Sequence, residues 1–256
     1  MGNPSAPKPA NTKANDASAA QSSSGGTGGG RWLRLFHPSH EHTQRSAAAL
    51  VMFAVALSRV IGYLREAYIA WAFGAGPQTD AYVAAFTIPD WLNYLVAGGT
   101  ASITFIALLS RYAAEKNERE GERAFSVVIT VMTAALGVGV LFAEYYAPQI
   151  LHAYFRDFSA EQLALCVRLT RILLPAQIFF YVGGVVSAAL LARRMFVLPA
   201  FGGVFYNIFI ILGGVLLSRQ FGIAALAYGA LAGSIIGPFL INAIGARRAG
   251  VGYRPS

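Results

Sequence analysis

Charge is what this sequence has least of. Asp, Glu, Lys and Arg make up 12% of its 256 residues and hydrophobic types 55%, where a soluble domain is about a quarter charged. That balance excludes an ordinary water-soluble fold and indicates an integral membrane protein. Cysteine is nearly absent as well. Cys166 stands alone, which excludes an intramolecular disulfide and leaves a small apolar residue near a helix start. The chain holds no nucleotide-binding loop, catalytic triad or zinc motif, so neither enzymatic chemistry nor a cofactor is expected. Acidic residues are the scarcer sign, 12 against 20 basic for a net charge of +8. Membrane orientation explains that excess more simply than nucleic acid does.

The N-terminal stretch lacks an apolar core, which excludes a secretory signal. Residues 1–30 are Ser, Ala, Gly, Pro and Asn-rich and end in SSSGGTGGG, a composition that cannot offset its ordering entropy by burial. Residues 1–44 are therefore expected to form a disordered, basic cytoplasmic tail. The opening Met-Gly-Asn-Pro-Ser-Ala resembles a myristoylation site but carries Ala6 where Ser or Thr is needed. His37, His40 and His42 are closely spaced but have no companion ligands. They are read as polar residues at the lipid headgroups beside Arg31, Arg34 and Trp32, and no metal is expected.

What is abundant is uncharged sequence. Residues 124–143, 172–192, 195–218 and 220–246 are uncharged runs of 20, 21, 24 and 27 residues, and 91–110 is another of 20 preceded by a mostly apolar run from Ala81. About 20 such residues cross the hydrocarbon core as a helix. With the first span, Ser46–Phe73, six transmembrane helices are expected over residues 45–248, leaving 249–256 as a cytoplasmic end. Twelve basic residues lie near the membrane in the two terminal segments and the even-numbered connections, against two, Arg156 and Arg219, in the odd ones. The rule that basic loops stay inside then places both ends in the cytoplasm. Residues 145–165, with Pro148 and FRDFSAEQ, suggest a short outer interfacial helix. Gly229, Gly233 and Gly237 form a small-residue stripe for close helix packing. Pro89, Pro175 and Pro199 should kink helices or mark their ends.

The first span is the exception to the charge-free pattern. Only 13 residues separate Arg45 from Arg59, so this helix crosses only by taking Arg59 with it. At 1.5 Å per residue from Ala47, Arg59 lies about 18 Å deep and Arg65 about 27 Å. A charge near mid-membrane costs on the order of 3 kcal/mol and normally faces a cavity or a protein interior. Six residues apart, the two arginines diverge by roughly 120°, so they could line a broad cavity but not a narrow stripe. Guanidinium forks match phosphate oxygens, so the expected site is an intramembrane anion site. Arg59 and Arg65 would bind and Asp80 would orient an arginine or limit the positive field. Asp90 and Arg171 are secondary candidates, and Glu66 is read as solvated. For Arg65 and Arg171, reaching the headgroups is the competing reading.

The run SRVIGYLREAYIAWAFGAGPQTDAYVAAFTIPDWL, Ser58 to Leu92, closely resembles the signature of MurJ/MviN-type lipid II flippases, members of the multidrug/oligosaccharidyl-lipid/polysaccharide exporter superfamily. RILLPAQIFF and FVLPAFGGVFYNIFIILGG, with Pro175, Pro199 and Asn207, are similar to that family's fourth and fifth helices. The resemblance covers roughly residues 46–250. It implies a carrier moving the undecaprenyl-pyrophosphate-linked peptidoglycan precursor across the inner membrane, from inner to outer leaflet. Its mechanism would be alternating access between two lobes, linked to the membrane potential. Arg59 and Arg65 match the family's cavity arginines and Asp80 its acidic partner. Where the family has an arginine pair and an AEGAF-like run, this chain reads Asn93-Tyr94 and Ala97-Gly98-Gly99-Thr100-Ala101. Asn93 is therefore a further secondary candidate.

The family has about fourteen helices, so the expected fold is all-α, six helices forming the N-terminal lobe of a two-lobed exporter. A missing C-terminal lobe or a second chain is the expected partner, along with membrane lipids and the lipid-linked pyrophosphate. The chain is expected to be a fragment of a longer protein. Rival expectations are export of another amphipathic anion or drug, or a non-transporting scaffold docking wall-synthesis proteins through its glycine-striped sixth helix.

Overall fold

The computed structural model describes residues 44–97, 118–193 and 195–248. Among them the chain is helical, with α1 (Gln44–Phe73), α2 (Pro77–Ala84), α3 (Thr87–Ala97), α4 (Glu118–Tyr154), α5 (Ala160–Leu173), α6 (Ala176–Ala192), α7 (Val197–Phe221) and α8 (Ala224–Ser234). From α8 the helix continues through a π-helical stretch, Ile235–Ile241, into α9 (Asn242–Arg248). Five stretches are long and apolar enough to cross a bilayer: Ala48–Phe73, Ile129–Tyr154, Ala160–Ala192, Val197–Phe221 and Ala224–Arg248. The expected second span begins in α2 and α3. Its continuation in residues 98–117 lies outside the described residues, as do the 1–43 tail with its three histidines and the end beyond Arg248.

Prolines break or bend these helices, and neighbouring side chains repair the damage. Pro89 has no N–H for the carbonyl of Ala85 four residues earlier. Thr170 Oγ1 of α5 donates to that buried oxygen at 3.1 Å. Pro148 likewise deprives the Glu144 carbonyl, and Arg171 Nε donates to it at 3.4 Å. Inside hydrocarbon such replacements are obligatory, because no water can take the freed group. Pro175 precedes α6 and Pro199 sits in the first turn of α7, where a missing N–H does no harm.

Residues 145–154 do not form the separate interfacial helix expected of this region. They extend α4 through Pro148, and the chain turns only at Phe155–Ser159. Ser159 then starts α5 with a reciprocal cap: Gln162 N–H donates to Ser159 Oγ and Ser159 N–H to Gln162 Oε1, both at 3.2 Å. The span expected at 172–192 thus begins a dozen residues earlier, as α5 and α6 in series.

The tightest packing is between α7 and the last helix. A Cβ on Gly229 would lie 2.5 Å from the Phe209 carbonyl oxygen, one on Gly233 2.9 Å from that of Tyr206, and one on Gly237 2.6 Å from that of Gly202. Gly213 returns the contact, its hypothetical Cβ 2.7 Å from the Ala225 carbonyl oxygen. The stripe therefore lets two backbones touch, and α7 occupies it within this chain. A docking partner for the scaffold reading would have to use another surface. Gly229→Leu is expected to prevent this crossing. In the full-length protein it should abolish a cooperative thermal transition in detergent, measured beside Gly137→Leu, at a position with open space around it.

Candidate functional site

The two arginines leave α1 on different sides. With about 100° of rotation per residue, Ala54, Ser58, Gly62, Arg65 and Ile69 share an arc of roughly 80°. That arc faces α7. A Cβ on Gly203 of α7 would stand 2.8 Å from Ser58 Oγ, and one on Gly62 3.7 Å from Asn207 Nδ2. The helices approach closely here because each offers a glycine.

Asn207 fills the seam. Arg65 Nη1 donates to Asn207 Oδ1 at 2.9 Å. Asn207 Nδ2 donates to the carbonyls of Gly203 at 3.0 Å and Ser58 at 3.5 Å. The amide, 8% exposed, thus joins its own helix to α1 by two bonds and uses both ends of the side chain. The other terminal nitrogen of Arg65, Nη2, pairs with Glu66 Oε1, while Nε is buried with no hydrogen-bond partner. Asn207 and Glu66 thereby bring α7 and α1 together around Arg65.

Arg59 lies roughly 120° away around α1 and about 9 Å along it. Its side chain is exposed and makes no hydrogen bond or ion pair among the described residues. Asp80, in the first turn of α2, is exposed too and pairs with no arginine among the described residues. The carboxylate that pairs with Arg65 is Glu66, which stays 60% exposed, in keeping with the solvated reading. Asp90, in the first turn of α3, is exposed. Asn93, one turn further along α3, is exposed. Arg171 stands apart: it serves the Glu144 carbonyl beside Pro148, with the Glu144 carboxylate 3.9 Å from its Nε. Its first task is structural.

A recess of about 450 Å³ opens between α3 and α4, lined by Ile88, Trp91, Leu95, Val138 and Phe142 among others, all apolar. It offers nothing to an anion and is separate from the Arg65 neighbourhood.

The family profile described as Lipid II flippase MurJ matches residues 69–256, well over half of the chain. The chain belongs to the lipid II flippase MurJ family. The match begins just beyond Arg59 and Arg65. A Lipid II flippase MurJ of Burkholderia cenocepacia is 31% identical over 198 residues, covering 75% of this chain and 38% of that protein. A Probable lipid II flippase MurJ of Buchnera aphidicola subsp. Baizongia pistaciae is 30% identical over 183 residues, covering 70% and 36%. A solved structure of Lipid II flippase MurJ in an inward closed conformation superposes with a TM-score of 0.64 at 28% identity, over 75% of this chain and 41% of that one. This MurJ-family chain therefore spans little more than a third of the length of the curated relatives it matches. It is an all-helical, multi-pass membrane protein.

Asn207→Ala removes the acceptor of Arg65 Nη1 and the donor to two carbonyls. The stability of the full-length protein in detergent is expected to fall by about 1–3 kcal/mol, read as a lowered thermal midpoint. An unchanged midpoint would show that this seam holds nothing together.

Proposed function

We propose that this chain is the N-terminal lobe of a carrier that moves lipid II, an undecaprenyl-pyrophosphate-linked sugar, from the inner to the outer leaflet by alternating access. The observation that carries the reading is Arg59: a guanidinium on a membrane-crossing helix, exposed and unpaired among the described residues. A bilayer does not tolerate such a group facing lipid. It needs a water-filled cavity and, for part of a cycle, an anion. A pyrophosphate supplies planar sets of oxygens for the guanidinium fork.

The roles then differ between the arginines. Arg59 is the substrate contact. Arg65 is held rigid by Asn207 and half-neutralised by Glu66, so it contributes a fixed positive field and a second contact once the anion draws it from Glu66. Asp80 limits that field, and Asp90 and Asn93 line the path from α3. The distribution of basic residues supports an N-terminus in the cytoplasm. The carrier's second wall comes from a further lobe or chain. The work is translocation, with no bond made or broken.

Export of another amphipathic anion is the second reading, favoured by Asn93-Tyr94, which supplies an amide and a phenol where the resemblance implies two cations. Translocation assays in reconstituted vesicles with lipid II and with other lipid-linked pyrophosphates separate the two.

Arg59→Ala in the full-length protein is expected to abolish rescue of a flippase-depleted strain while membrane expression is unchanged. Full rescue by a stably expressed Arg59→Ala protein would overturn the assignment.

A further inference from the structure

Around α1 the side chains sort into three arcs. Ala54, Ser58, Gly62, Arg65 and Ile69 face α7. Phe53, Val60, Leu64 and Trp71 fall within about 40° of each other on a bulky apolar arc, and each is more than half exposed. Between them, on the remaining side, Arg59, Tyr63 and Glu66 fall within roughly 60°, with Ala70 and, two turns before Arg59, the exposed Met52 in the same arc and Ala56 beside it. The bulky arc has the character of a lipid-facing surface. From Arg59 onward the third arc does not, since there it carries two ions with small alanines beside them.

Tyr63 is the unexplained member. It is 74% exposed, stands one turn from Arg59 and one from Glu66, and makes no hydrogen bond or ring contact among the described residues. A tyrosine on the bulky arc would be an ordinary membrane-interface residue. On the arc of Arg59 and Glu66 it projects over the same open space as the anion-binding guanidinium.

We propose that Tyr63 is a specificity-determining contact for the sugar bonded to the pyrophosphate. This rests on the pyrophosphate reading of Arg59. Side chains one helical turn apart are about 5–6 Å from each other, so a ligand whose phosphate sits on Arg59 presents its adjoining group to Tyr63. The isoprenoid is poorly matched there because the arc is polar. A pyranose matches, its apolar ring face against the phenol and its hydroxyls within reach of the Glu66 carboxylate, which keeps acceptor capacity beyond its bond to Arg65.

The test compares two ligands on the purified full-length carrier, lipid II and sugar-free undecaprenyl pyrophosphate, by native mass spectrometry. Tyr63→Ala should weaken lipid II binding by about tenfold, the scale of one lost ring contact, and leave undecaprenyl pyrophosphate within about twofold. Tyr63→Phe keeps the ring face and should lose less than about threefold for either ligand. Equal weakening of both ligands by Tyr63→Ala, or of neither, overturns the sugar contact. Arg59→Ala in the same assay should weaken both. If it weakens neither, the pyrophosphate reading fails on its own account, whatever Tyr63 does.

Discussion

One amide ties this lobe's charge to its fold. Asn207 lies within a 24-residue uncharged run and hydrogen-bonds Arg65, Ser58 and Gly203 at once. In hydrocarbon an unpaired polar group costs several kcal/mol, so each partner constrains the others. Moving Arg65 leaves Asn207 Oδ1 without its donor, and moving the amide leaves Arg65 Nη1 without its acceptor. The glycines at 62 and 203 let the helices come close enough for the bonds to form. Through this seam the register of α1 against α7 is set, and with it the direction in which Arg59 points.

The same demand recurs wherever the helices are broken. Thr170 serves the carbonyl released by Pro89, Arg171 the one released by Pro148, and Asn242 Nδ2 reaches the carbonyls of Pro238 at 2.8 Å and Gly183 at 3.3 Å beside the π-helical stretch. These side chains are polar residues at helix contacts, and polarity alone would mark them as functional. Geometry assigns them to repair. Arg59 and Tyr63 have no such duty among the described residues, which is why the proposed chemistry gathers on the open side of α1.

Much of this was legible in the sequence because hydrocarbon imposes simple rules. Uncharged runs located the last three spans, and the stripe of glycines at 229, 233 and 237 announced a close helix crossing. What eluded the sequence depends on which way a side chain turns. Spacing put Arg65 and Arg59 about 120° apart without saying which faced the protein. Glu66 is solvated as read, but its pairing with Arg65 joins immediate neighbours, a relation that periodicity does not reveal. Asn207 was visible only within a resembling stretch, although a lone amide among FYNIFIILGG is a signal in itself. Arg171 looked like a binding residue because the carbonyl it serves is created by a proline 23 positions earlier in the chain.

The account stands on the claim that Arg59 faces water and that Arg65, a quarter exposed, is held against α7. Cysteine accessibility measures that directly in the full-length protein, in a Cys166→Ala background that removes the native buried thiol. The Arg59→Cys protein should react with a membrane-impermeant thiol reagent, while the Arg65→Cys protein should react far more slowly. Fast labelling at position 65 with none at 59 would contradict the assignment of the two faces.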